Sequence, residues 1–160
     1  MILPFTYYLD NKMARKGSPN PSMAASLLAK ATVRLKRIEE EKFTAEKASL
    51  IFEDSYEAVR EACQSLMELY AFKPYSHEAL VSFLKEYYLL PEPDVNALDG
   101  YGILRNNSVY RAQNVSLETC KEAMGFAKRT IPQVKEKFEV IRKKHLKGDI
   151  QLPEFTKDGK

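Results

Sequence analysis

The sequence contains little of what metalloenzymes, disulfide-stabilised domains and membrane proteins need. It has two cysteines, two histidines and no tryptophan. Cys63 and Cys120 show no CxxC or Cys/His spacing and fall on the apolar stripes of predicted helices, so we interpret both as reduced core thiols. No apolar run approaches the length of a membrane span and no basic stretch precedes the short apolar run at the start. We therefore expect a soluble, cytoplasmic protein.

The common catalytic signatures are also missing. The chain has no glycine-rich phosphate loop, no HExxH and no GxSxG motif, which excludes most self-contained enzymes. We interpret His77, in the first turn of a predicted helix, as an exposed or hydrogen-bonded side chain rather than a ligand. His145 follows a basic run near a helix end, where positive charge complements the helix dipole, and is interpreted as a solvated position. No metal or cofactor is predicted.

Charge is distributed unevenly although the net charge is only +3. Residues 1–37 carry a net +6, residues 38–103 a net −9 and residues 104–160 a net +6. If the first and last helices lie together, one face could attract a phosphate backbone. The alternative is that acidic helices simply pair with basic neighbours.

A chain of 160 residues with 44% hydrophobic residues fits one domain with a substantial core. Residues 1–21 contain three prolines and a glycine without a sustained period, and we predict an irregular N-terminal arm. Residues 22–145 are predicted to form a helical bundle and residues 146–160 a C-terminal tail. No stretch alternates with the period of a β-strand.

Apolar residues recur every three or four positions over most of the chain, the period that places them on one helical face. The predicted fold class is all-α, an up-and-down bundle of four to five helices. We expect a weak helix where Gly100 and Gly102 interrupt the pattern, and a kink at Pro132 in the last helix. The expected helices cover residues 22–41, a second helix from the Thr44 cap to the Lys73-Pro74 break, residues 77–89, residues 94–110, and a long helix from Ser116.

One polar segment stands out in the otherwise apolar fourth helix. Arg105 and Asn106 occupy positions where a core would favour apolar side chains, and such groups need partners. Arg105 can share a helical face with Tyr101, and Asn106 with Tyr110, because each pair is four residues apart. Two interpretations stay open: a polar network that braces a helix junction or a dimer seam, and a cleft facing phosphate or RNA in which Arg105 anchors the phosphate.

Arg105-Asn106 with Tyr110 resembles the signature helix of HEPN domains, the higher-eukaryote and prokaryote nucleotide-binding helical bundles. The stretch 73–84, which reads KPYSHEALVSFL, is similar to the SHEAL helix of their archaeal and bacterial members. The helices also follow in a similar order. The resemblance covers roughly residues 22–142, and each motif is short.

The resemblance implies a homodimer in which the Arg-Asn helices line a shared cleft. In the RNase members an Arg, four to six residues and a His form a metal-independent cleavage site, but here Tyr110 stands at the corresponding position. An unperturbed phenol with a pKa of about 10 is a poor base, whereas an imidazole of about 6.5 suits the task. Members without the His resemble companions of minimal nucleotidyltransferases. We therefore predict a non-catalytic nucleotide- or RNA-binding companion of such an enzyme, with toxin–antitoxin pairing a possibility and Arg105, Asn106 and Tyr110 as the binding residues. The alternatives are an RNase with a degenerate Arg-x4-Tyr motif and a purely structural dimer.

Overall fold

The computed structural model describes residues 1–147, which fold into six helices and one small two-stranded sheet. The prediction of an all-α bundle is confirmed. The elements in chain order are α1 (Phe5–Asp10), β1 (Ala14–Lys16), α2 (Pro21–Glu39), α3 (Ala48–Leu69), β2 (Phe72–Pro74), α4 (His77–Glu86), α5 (Glu92–Arg111) and α6 (Leu117–His145).

Side-chain caps start three of the helices at positions where the sequence offers a short polar residue. The side chain of Asn20 accepts a hydrogen bond from the backbone N–H of Met23 at the start of α2. Ser76 and Ser116 do the same for α4 and α6. Each cap satisfies one backbone donor that the first helical turn leaves without a partner.

Helix α3 is the centre of the bundle, packed mainly between α2 and α6 and also touching α4 and α5. Most of its side chains are buried, including Phe52, Leu66 and Cys63. Cys63 and Cys120 are both buried and free, as predicted. Burial raises the pKa of the Cys63 thiol to about 12, so that thiol stays protonated at neutral pH.

Charged side chains of α2 pair with carboxylates of α3 along their shared length. Arg34 bridges Asp54 and Glu61, with Nη2 3.0 Å from Glu61 Oε1, and Lys30 and Arg37 make further ion pairs with the same carboxylates. The basic charge of this part of the chain is thus largely matched by acidic residues of the neighbouring helix. That arrangement supports the second interpretation of the charge pattern, in which basic and acidic helices pair.

The N-terminal residues, expected to be an irregular arm, contain helix α1 and strand β1 and pack on the bundle. The Phe5 ring lies edge-on to Phe72 and Phe83, at centroid distances of 5.3 and 5.1 Å. The backbone N–H of Phe5 donates to Glu86. Strand β1 pairs antiparallel with β2, with Ala14 opposite Pro74 and Lys16 opposite Phe72.

Helix α5 differs from the sequence prediction in a way that matters for the site, because it runs without interruption for 20 residues through both glycines. Helix α6 continues past Pro132 for a total of 29 residues, as the prediction of a long last helix requires. Helix α5 is therefore a continuous support for the side chains at 101–110.

Candidate functional site

Arg105 lies close to two aromatic rings. Its guanidinium carbon is 6.0 Å from the ring centroid of Tyr56 on α3 and 5.8 Å from that of Tyr110 on its own helix. A guanidinium at this distance from a phenol ring is attracted by the negative face of the ring. Arg105 Nη1 also donates to Asn106 Oδ1 at 3.4 Å. The structure thus brings the three predicted site residues together.

The charge of Arg105 is not matched by a carboxylate: within residues 1–147 it takes part in no ion pair. The charge of Arg105 acts on the carboxylate of Glu57, but that carboxylate is paired with Arg60, with Glu57 Oε1 2.6 Å from Arg60 Nη2. Burial alone would raise the pKa of Glu57, but the hydrogen bonds and charge of Arg60, together with the charges of Arg34 and Arg105, outweigh it and hold that pKa below its ordinary value. Glu57 is therefore ionised and already paired.

The two rings around Arg105 differ sharply in exposure. Tyr56 is 5% exposed and belongs to the core, whereas Tyr110 is 75% exposed. Asn106 is exposed and Arg105 is partly buried. The guanidinium therefore lies close to one buried ring and one ring that is exposed to solvent.

The hydroxyl of Tyr56 is tied to His77, a residue that the sequence interpretation set aside. Tyr56 Oη is 2.6 Å from His77 Nδ1, and His77 Nε2 is 3.3 Å from Asp99 Oδ1. His77 is therefore a hydrogen-bonded side chain, one of the two states expected for it.

The protonation states in this chain of groups follow from burial. Burial raises the pKa of Tyr56 well above its ordinary value, so the phenol keeps its proton and donates it to His77 Nδ1. Burial also lowers the pKa of His77, outweighing the opposing effect of Asp99 and Glu78. The neutral imidazole then carries its proton on Nε2 and donates it to Asp99.

Gly102 leaves room for the His77 ring to pack against α5. A β-carbon at residue 102 would overlap the His77 ring, whereas a β-carbon at Gly100 would meet open space. The two glycines were both predicted to weaken the helix, but only Gly102 has a structural reason to be glycine. Nothing in the sequence spacing connects Gly102 with His77, because they come from different helices.

The remaining residues of the polar segment anchor α5 to α3. Ser108 Oγ donates to Glu53 Oε1 at 2.9 Å. Tyr101, expected to pair with Arg105, instead packs between Phe52 and Phe126, with centroid distances of 6.0 and 5.4 Å. Tyr101 is thus part of the packing beneath the site and does not contact the guanidinium in the manner expected.

Several exposed side chains of α5 next to the site are apolar. Ile103 is 59% exposed, and Leu104 and Val109 are also exposed, in the helix that carries Tyr110. Gly100 lies in the same helix and has open space around it. Such a grouping of exposed apolar side chains is typical of an interaction surface.

Comparison with known proteins leaves the family open. No family model, curated protein or solved structure matches this chain. The resemblance to HEPN domains therefore stays a prediction. Among the described residues, no helix is long and apolar enough to cross a membrane, and no three His, Cys, Asp or Glu side chains are placed to hold a metal ion.

Proposed function

We propose that the α5 surface formed by Arg105, Asn106 and Tyr110 binds the phosphate of a nucleotide or RNA. In this proposal the chain is a non-catalytic companion of a minimal nucleotidyltransferase and acts as a homodimer. The observation that carries the proposal is a guanidinium close to two phenol rings, without an ion-pair partner in residues 1–147. The nucleotidyltransferase partner rests on the HEPN resemblance alone.

The geometry suits an oxyanion of phosphate type. A guanidinium attracted to aromatic rings can still donate its N–H groups to acceptors, because the rings take none of its hydrogen bonds. Phosphate oxygens accept two parallel N–H bonds from a guanidinium, which gives strong and directional binding. The exposed amide of Asn106 can add a donor, and the exposed ring of Tyr110 offers a base a surface on which to stack.

The apolar surface of α5 supports the homodimer. A twofold interface uses the same patch on both subunits, so an exposed apolar helix face can pair with its own copy. Ile103 and Leu104 would be covered in such a pair. The HEPN resemblance implies that the two Arg-Asn helices then line a shared cleft.

Phosphate binding is tested by titrating a fluorescently labelled short RNA, and separately ATP, with the wild-type chain and single variants. Arg105→Ala is expected to weaken binding by tenfold or more and to reduce the slope of log affinity against log salt by about one. Arg111→Ala removes an exposed positive charge from the same helix and is the matched control. The proposed site would be contradicted if both variants weakened binding equally, or if neither weakened it. Gel analysis of the RNA in EDTA after the titration reports whether it was cleaved, the result that the RNase alternative requires.

Dimer formation is tested separately by light scattering after size-exclusion chromatography. Ile103→Glu places a charge on the apolar surface of α5 and is expected to give monomers. Val33→Glu is the control, because Val33 is 68% exposed and lies on α2, away from α5. A wild-type chain that is monomeric at every concentration would rule out the dimer.

A further inference from the structure

We propose that His77 is a positioning residue for the phosphate site, acting through the Tyr56 hydroxyl to fix the ring on which Arg105 rests. Its effect on ligand binding rests on the proposed function above. The positioning itself is a property of the free protein and can be measured without a ligand.

Three helices contribute to the arrangement. Tyr56 comes from α3, His77 from the first turn of α4, and Asp99 and Arg105 from α5. The contacts run in order from Asp99 to His77, from His77 to the Tyr56 hydroxyl, and from the Tyr56 ring to the guanidinium. Arg105 therefore depends on His77, a side chain of α4 with which it forms no hydrogen bond or ion pair within residues 1–147.

The hydrogen bond determines where the ring can lie. A phenol in an apolar core is held by packing, and the buried Tyr56 hydroxyl needs a partner as well. The bond to His77 Nδ1 is 2.6 Å long and supplies that partner from one direction only. The attraction between a cation and a ring depends on the position of the ring face. A tilt of the Tyr56 ring would therefore change the preferred position of the Arg105 guanidinium.

The imidazole is in turn held on two further sides. Asp99 accepts the Nε2 proton, and the side chain of His77 is only 12% exposed. A β-carbon on residue 102 would collide with the ring. Because this residue is glycine, the imidazole can approach α5 closely. These restraints leave the acceptor Nδ1 aimed at the Tyr56 hydroxyl.

A purely structural role for His77 makes a different prediction. In that case replacing His77 would lower stability and leave the surroundings of Arg105 unchanged in the molecules that stay folded. A positioning role requires the environment of the guanidinium to change. The side-chain NMR signals of Arg105 distinguish the two, since protons close to the face of an aromatic ring are shifted by its ring current.

The first experiment records the Arg105 Nε–H and δ-proton signals in the full chain and in four variants. His77→Leu and Tyr56→Phe are expected to move these signals towards their values in an unstructured peptide. His77→Gln is expected to keep them, because its amide offers an acceptor and a donor in place of the two ring nitrogens. Gly100→Ala, on the same helix in open space, is the control. Unchanged Arg105 signals in folded Tyr56→Phe would overturn the proposal, and this holds even if His77→Leu fails to fold.

The second experiment measures RNA or ATP affinity in a double-mutant cycle of His77→Leu and Tyr56→Phe. Each variant is expected to weaken binding about five- to tenfold, and the double variant no more than either single one, because both break the same link. If the double variant lost affinity by the product of the two single losses, His77 would not act through the Tyr56 hydroxyl. If Arg105→Ala leaves binding unchanged, the proposed function fails, while the NMR result still decides whether His77 positions Arg105.

Discussion

The imidazole of His77 lies against α5 at the point where Gly102 has no side chain. The contact joins the first turn of α4 to the middle of α5. It also places the ring so that its two nitrogens meet Tyr56 and Asp99. A glycine in a helix interior is usually a weakness, and here it makes room for a polar side chain.

The two glycines of α5 should respond in opposite ways to the same substitution. Gly100→Ala is expected to stabilise the protein by up to about 1 kcal/mol, since alanine favours the helix and meets open space. Gly102→Ala is expected to destabilise it by about 1–3 kcal/mol, because the new methyl group collides with His77. Urea unfolding measures both values. The double variant Gly102→Ala/His77→Ala should recover part of the loss, and a Gly102→Ala protein as stable as wild type would show that the contact is absent.

Ala112 ends α5 in a left-handed conformation with φ of 51°. A residue with a β-carbon is strained there, so Ala112→Gly is expected to raise the free energy of unfolding by roughly 0.5–1 kcal/mol. Ala29→Gly, at an exposed position inside α2, should lower it by a similar amount. Thermal and urea unfolding of the two variants test the pair. Loss of stability in both would mean that the left-handed C-cap is not formed.

Stability should fall as the pH drops from about 7 to 5, and His77 should contribute to the fall. The pKa of His77 is lowered in the folded chain, mainly by burial, in spite of Asp99 on α5 and Glu78 on α4, while Tyr56 on α3 faces Nδ1. An unfolded histidine, with its ordinary pKa of 6.5, binds a proton before the folded one does. Acid therefore favours the unfolded state. The contribution of His77 to stability is fully present above the unfolded pKa of 6.5 and is lost as the pH falls through the pKa of the folded His77.

The measurement is urea unfolding at several pH values for wild type and His77→Gln. The variant should show a shallower loss of stability between about pH 7 and 5. His145, whose pKa burial also lowers, contributes with the same sign and remains in both proteins. Glu57 acts only below its ordinary pKa of 4.5 and is outside this range. Equal slopes in the two proteins would show that His77 titrates normally when folded.

Arg34 and Arg37 should differ in their importance although both pair with α3. Glu61 is buried, with a side chain 3% exposed, and Arg34 approaches it with Nε and Nη2. Arg34→Ala is expected to cost about 3 kcal/mol because it strips a buried carboxylate of its main partner. Arg37→Ala breaks only a solvent-exposed pair with Asp54 and is expected to cost less than about 1 kcal/mol. Similar losses in urea unfolding would contradict this ranking.

The long helices were predictable because their apolar residues repeat every three or four positions over many turns. Helices α4 and α6 also begin where the sequence predicted, directly after the capping residues Ser76 and Ser116. The strands β1 and β2 could not be foreseen, since three residues are too few to show a period. The pairing of β1 with β2 is a tertiary contact that no local pattern contains.

Only part of the candidate site could be predicted from the sequence. Arg105, Asn106 and Tyr110 stand out because they are polar or aromatic in an apolar helix. Tyr56 does not, since it falls on the apolar stripe of α3 and looks like any other core residue. His77 belongs to a different helix, and its partners Tyr56 and Asp99 are brought to it only by packing.

The small sheet has a consequence for the order of folding. The pairing of Ala14 with Pro74 closes a loop of about sixty residues that contains α2 and α3 entirely. Closing so long a loop costs entropy unless something else first brings its ends together. The hairpin of α2 and α3 does this, because the two helices pack along their length and bring the chain on either side of them together. We therefore expect the pairing of β1 with β2 to form after the helical hairpin, and slow hydrogen exchange at β1 to report that the hairpin is complete.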